Sequence, residues 1–86
     1  MVLVSFKASF IKQFNKLDKA LALEVMEKIE LFKNLENHRA LRVHKLHGKL
    51  KTMWSFSVNY KTRIVFIYES KKEAVFLAIG DHDIYN

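Results

Sequence analysis

Absences constrain this chain first. It contains no cysteine, which excludes disulfide staples and thiolate metal sites and fits a reducing cytoplasm, the expected location. Proline is missing and glycine occurs twice, at Gly48 and Gly80. Tight turns should therefore be few, and a glycine-rich phosphate loop is excluded. No apolar run approaches the roughly 18–20 residues needed to cross a membrane, and Met1–Phe6 is not expected to be a secretory signal. Nothing repeats, and no segment is of low complexity. Acidic side chains are absent from the whole stretch between Glu36 and Glu69.

That same stretch holds Arg39, Arg42, Lys45, Lys49, Lys51, Lys61 and Arg63, together with His38, His44 and His47. Its seven cations make it the source of the chain's net +6, because acids and bases nearly cancel elsewhere. Such segregation can build one electropositive face, and the commonest cellular polyanion is nucleic acid. The plain alternative is a solvated basic loop that keeps a small domain soluble. Eighty-six residues, half of them apolar and 13% aromatic, make one domain over 1–86 with material for a packed core. A domain this small buries only roughly 60–65% of its unfolded surface, so a partner would add much to its stability.

Val2–Phe6 reads as an opening strand. Phe10, Ile11, Phe14 and Leu17 recur at helical spacing, which predicts a helix over about 9–17 with Ser9 as its cap. Asp18 is placed to cap a second helix with Ala22, Val25, Met26, Ile29 and Phe32 as its apolar stripe, folded back on the first. That helix should fray near Asn34–His38, with His38 at its C-terminal end. The period then changes to two. Trp54, Phe56, Val58 and Tyr60 form one face of a strand, and a turn over 59–62 follows. Ile64, Phe66 and Tyr68 lie in a strand apolar on both faces, and Glu69–Glu73 turns into a last strand, Ala74–Gly80. Trp54 shares a face with Phe56 and Val58 and is expected in the core. The fold class is α+β, in the order β-α-α-β-β-β, with a helical hairpin packed on one face of an antiparallel sheet.

Three strings resemble the RelE/ParE superfamily of small bacterial toxins, in particular the RelE, YoeB and YafQ messenger-RNA endonucleases. Leu46-His47-Gly48-Lys49-Leu50-Lys51-Thr52-Met53-Trp54-Ser55 is similar to their approach to the second strand. Thr62-Arg63-Ile64-Val65-Phe66-Ile67-Tyr68 is similar to their "YRLVY" strand, and Ile79-Gly80-Asp81-His82-Asp83-Ile84-Tyr85 to their "GTHxxxY" ending. The resemblance implies a toxin of a type II toxin-antitoxin system that cuts messenger RNA in association with the ribosome, silencing by a cognate antitoxin, and no cofactor. It assigns Arg63 to the scissile phosphate, His82 to the terminal histidine, Tyr85 to the terminal aromatic, and His44 to an active-site position. The chain departs from RelE at Ser55 and Ser57, where that enzyme carries lysines, and its tail is one residue shorter between His82 and Tyr85. The family's other branch, ParE, poisons DNA gyrase, and a nucleic-acid-binding module without activity is a third reading.

RNA cleavage without a metal needs a base for the 2′-hydroxyl, an acid for the leaving 5′-oxygen and positive charge beside the phosphorus. Two histidines can carry both proton transfers near neutrality. An arginine fork matches phosphate oxygens and stays charged. Arg39, Arg42, Lys45, Lys49, Lys51 and Lys61 would hold the RNA backbone. A hairpin turn at 70–72 pairs residues whose numbers sum to about 142, so Arg63 should face about Ile79, with His82 just beyond. Asp81, His82 and Asp83 have poor spacing for a metal site, and none is expected.

Overall fold

The structure is a computed structural model that describes residues 1–48 and 52–81. Its order is β1 (Leu3–Phe6), α1 (Ala8–Phe14), α2 (Lys19–Phe32), a 3-10 turn (Leu35–Asn37), β2 (His44–Lys45), β3 (Trp54–Ser57), β4 (Arg63–Ser70) and β5 (Glu73–Gly80). The strands form one five-stranded sheet in the order β1-β5-β4-β3-β2. The α+β class and the helical hairpin agree with the sequence. The sheet, however, is mixed: β2 to β5 pair antiparallel, but β1 runs parallel to β5 along its edge. A four-residue strand carries no signal for its own direction. β2 adds a strand too short to show a period.

Asp18 caps α2 as its sequence implies, accepting from the Leu21 amide at 2.8 Å. Val25, Ile29 and Phe32 are buried, whereas Met26 is exposed. Phe32 stacks on Phe56 at 4.8 Å and meets Phe66 and Phe76 edge-on at 4.9 and 5.3 Å. One ring of α2 thus touches three adjacent strands, and Phe10 of α1 joins at 5.6 Å from Phe76. Rings in such offset and edge-on arrangements gain beyond their buried area.

The cap expected at Ser9 falls instead at Lys7, and α1 ends at Phe14. Ser9 has a different task. β1 covers only Glu73–Phe76 of β5, and the Lys7 amide donates to the Phe76 carbonyl at 2.9 Å. Beyond that point α1 replaces the missing strand with side chains. Ser9 Oγ donates to the Leu77 carbonyl at 2.7 Å, and Gln13 Oε1 accepts from the Ile79 amide at 2.8 Å. The edge nearest the carboxy-terminal end of β5 is satisfied without another strand.

The β4–β5 hairpin sums to 142 at Phe66↔Phe76, Ile67↔Val75 and Tyr68↔Ala74, as the turn predicts. Between Val65 and Phe66 the register shifts, and Leu77 is the extra residue. The sum becomes 143, so Arg63 faces Gly80 rather than Ile79. A bulge adds one residue to one strand and moves everything beyond it by one. Gln13→Ala would leave the buried Ile79 amide without its acceptor. Urea unfolding should show a loss of about 1–3 kcal/mol, with faster hydrogen exchange at Ile79; unchanged exchange there would refute the edge role of α1.

Candidate functional site

Register assigns each side chain to a sheet face. Trp54, Phe56, Ile64, Phe66, Phe76 and Ile79 face the helices, and the residues alternating with them face away. On that second face, one cross-strand row contains Ser57, Arg63 and Gly80, and the next contains His44, Ser55, Val65 and Ala78. Val65 is buried there although it belongs to no contact with the helical core. Trp54 lies on the helical side, half-buried and packed against the core, with its ring 5.1 Å from Tyr68. Burial raises the Tyr68 hydroxyl above the ordinary tyrosine range.

Arg63 opens β4 half-buried, with its head group folded back over the preceding turn. Nη1 donates to the main-chain oxygens of Asn59 at 2.7 Å, Tyr60 at 3.1 Å and Thr62 at 3.4 Å. The other guanidinium nitrogens make no hydrogen bond among the described residues. One nitrogen therefore anchors the group, and its remaining donors, uncommitted among the described residues, are of the kind that match an anion's oxygens. Tyr60, Lys61, Arg63 and Asp81 line a hollow of about 300 Å³ at this end of the sheet.

His44 shares the face of Arg63 but lies two strands away and one row along. Strand geometry separates their Cα atoms by about 12 Å, and the Arg63 head group turns toward its own loop. His44 Nδ1 lies 2.8 Å from the Arg42 carbonyl. A carbonyl can only accept, so Nδ1 carries the proton and the neutral ring keeps a lone pair on Nε2. His38 is used differently. Its Nε2 donates to the Phe32 carbonyl at 2.6 Å, and its ring stacks on Phe32 at 4.6 Å, closing the end of α2.

The predicted basic face is divided. Arg39, Arg42, Lys45 and Lys61 are exposed, but Lys45 pairs with Trp54 and so lies on the helical side of the sheet edge, away from Arg63. Lys61 is the cation beside Arg63. Arg42 adopts a left-handed conformation, φ 59°. Its amide bonds to the Arg39 carbonyl, and the Val43 amide to the His38 carbonyl, which ends this turn as a Schellman motif. Glycine is usual at that position, and an arginine there costs about 1–2 kcal/mol. Ser55 is buried and Ser57 half-buried on the face of Arg63, so neither hydroxyl offers the reach of a lysine. His82, Tyr85, Lys49 and Lys51 lie outside the described residues.

Tyr60 is the residue that sequence reasoning misplaced. Alternation puts it with Trp54 and Phe56 in the core, yet β3 ends at Ser57 and Tyr60 is 94% exposed beside Arg63. Asn59 was the available signal: its Oδ1 accepts from the Lys61 and Thr62 amides at 2.9 and 2.8 Å, a side-chain-closed turn that ends the strand. Among the described residues, no three His, Asp or Glu side chains gather where they could hold a metal ion. No described helix is long and apolar enough to cross a membrane. Because the carbonyls that Arg63 holds stand in a surface turn, Arg63→Ala should cost only about 0.5–1.5 kcal/mol in urea unfolding. A markedly larger loss would make Arg63 a structural staple first.

Comparison with known proteins gives this geometry a family. Residues 4–82 match the model for the HigB-like toxin, described as the RelE-like toxin of type II toxin-antitoxin system HigB. No curated protein matches significantly. A conserved hypothetical protein of Helicobacter pylori, solved in solution, is similar over 96% of this chain and 97% of its own at 24% identity and TM-score 0.73. The RelBE2 toxin-antitoxin complex of Mycobacterium tuberculosis contains a chain similar at 17% identity over 94% of this chain and 98% of that one, TM-score 0.72. YafQ of E. coli is similar at 13% identity over 99% and 98% of the two chains, TM-score 0.69. At these identities the solved structures speak for the fold, and the family match for membership: this chain belongs to the HigB-like, RelE-like toxins of type II toxin-antitoxin systems.

Proposed function

We infer that the protein is an endoribonuclease that cuts messenger RNA in the cytoplasm, on or near the ribosome, and so inhibits translation. The observation that carries this reading is the pose of Arg63, anchored through Nη1 with its other donors unbonded among the described residues. Preorganised charge of this kind acts where negative charge develops and needs no rearrangement during the reaction. The proton of the 2′-hydroxyl is assigned to His44 by resemblance, its lone pair on Nε2 and the bound nucleotide spanning the roughly 12 Å between its Cα and that of Arg63. The 2′-oxygen attacks phosphorus, and the bond from phosphorus to the 5′-oxygen breaks. His82 gives that oxygen its proton, which leaves a 2′,3′-cyclic phosphate. Arg63 neutralises the equatorial oxygens of the pentacoordinate intermediate. Tyr85 is assigned to the same site by resemblance alone.

Tyr60 suits a base-stacking platform beside this phosphate, being an aromatic exposed at the rim of the hollow. Lys61, Arg39 and Arg42, with Lys49 and Lys51, hold the RNA backbone, whereas Lys45, on the helical side of the sheet edge, stands apart from that path. The test is cleavage of a translated messenger RNA with and without EDTA. Wild type should cut in both, and Arg63→Ala should lose on the order of 10²–10³ in rate. Tyr60→Ala should weaken binding of a non-cleavable oligonucleotide by about 1–3 kcal/mol. No cleavage by wild type, coupled with inhibition of gyrase supercoiling, would favour the ParE-like alternative.

The cognate antitoxin is the second partner. Phe6, Phe10, Ile11, Phe14, Met26 and Ile29 line an apolar groove of about 240 Å³ where α1 meets α2, and Phe6, Ile11 and Met26 are exposed there. An apolar arm of the antitoxin fits this groove, and its acidic residues suit the basic segment. The M. tuberculosis relative was solved as a complex with its antitoxin. Met26→Asp should weaken co-purification with the antitoxin while leaving RNA cleavage intact. Equal capture by the variant would exclude the groove.

A further inference from the structure

We propose that Asn59 and Glu24 are positioning residues that hold Arg63 in its anion-ready pose, a reading that rests on the phosphate role of Arg63 proposed above. Asn59 uses every polar group it has. Oδ1 accepts from the amides of Lys61 and Thr62 and closes the turn. Its amide donates to the Thr62 carbonyl at 3.4 Å. Its own carbonyl accepts from Arg63 Nη1 at 2.7 Å, the shortest of the three bonds to that nitrogen. Nδ2 donates to Glu24 Oε1 at 2.7 Å, a part-buried bond across 35 residues of chain.

That last bond is not needed to make the turn, since Oδ1 already closes it. Its effect is to fix the turn against α2, which is itself packed on the sheet through Val25, Ile29 and Phe32. The chain of contacts then runs from the helix through Glu24 and Asn59 to the guanidinium. A loop held only at its own ends would let the carbonyls that aim Arg63 drift. Small displacements of a charged group at a reacting centre are costly, on the order of 10²-fold for about 1 Å.

The experiment follows the Arg63 side chain directly, by 15N-detected signals of its guanidinium in the full chain, alongside cleavage kinetics. In wild type, anchoring at Nη1 should keep the two terminal nitrogens distinct at low temperature. In Asn59→Ala and in Glu24→Ala they should average, and kcat should fall about 10- to 100-fold with KM little changed. Glu24→Gln keeps the acceptor oxygen and should resemble wild type. Asn59→Asp alone sets two carboxylates against each other and should average the signals. Combined with Glu24→Gln it restores the bond in reverse, Gln donating to Asp, and should restore the signals. In an Arg63→Ala background, Asn59→Ala should add no further loss of rate. Unaltered guanidinium signals in Asn59→Ala and Glu24→Ala would overturn the proposal whatever the activity. An additive loss in the Arg63→Ala background would overturn it also, reducing Asn59 to a turn former. If the signals respond as expected but wild type cuts no RNA, the positioning stands and the nuclease reading falls.

Discussion

The contact on which everything else is built is the ring of Phe32 set among Phe56, Phe66 and Phe76. It ties α2 to β3, β4 and β5 at once, so the order of those strands and the position of the helix are fixed together. Concentrating the large apolar rings on one sheet face leaves the other free for a different chemistry. The same ring also governs the chain's exit from the helix. His38 stacks on it and donates to the Phe32 carbonyl, satisfying one of the orphan acceptors at the helix end. From there Leu41 is buried and its carbonyl accepts from the Ser57 amide at 2.8 Å. The basic segment therefore starts from a fixed point on the sheet rather than hanging from a frayed helix.

The second constraint is the single extra residue at Leu77. Without it Arg63 would oppose Ile79, a buried side chain of the helical face. With it Arg63 opposes Gly80, which has no side chain to crowd the guanidinium. The bulge is stable because its carbonyl has a partner, Ser9 of α1, and the next inward amide has another, Gln13. A helix at the far edge of the sheet thus helps set which residue Arg63 faces. The irregularity is local, but its consequence is read at the functional end.

Much of this was legible in the residue order, for reasons that differ by element. β4 and β5 have apolar residues on both faces, and α2 has an acid cap and a helical stripe; these are local signals and they hold. The direction of β1 is set by where α1 packs against β5, a non-local matter. β2 has only two residues and exists because the Schellman turn at Arg42 delivers it to the edge. Alternation carries Tyr60 onto the strand face although the turn expected over 59–62 already contains it; the strand ends at Ser57 and Asn59 closes the turn, so the turn signal prevails. The site was half legible. Arg63 stood out by its place in a recognisable string, but its anchoring through Nη1 depends on three carbonyls whose direction no spacing rule supplies. The split of the basic residues between faces follows from β2 pairing, which the residues alone did not reveal.

Anchoring also separates two uses of positive charge in the same segment. Among the described residues the ion pairs, Lys28–Glu27 and Lys33–Glu30, belong to α2 and its end, so the exposed cations of the central segment keep their charge unneutralised by these contacts. A free lysine or arginine loses rotamer entropy when it binds, which suits adaptable contact with a phosphate backbone that varies in position. Arg63 has already lost that freedom on folding, so its contribution in a complex is not diminished by it. Arg42 stands between these cases: its side chain is exposed while its backbone occupies a conformation that glycine would hold without strain.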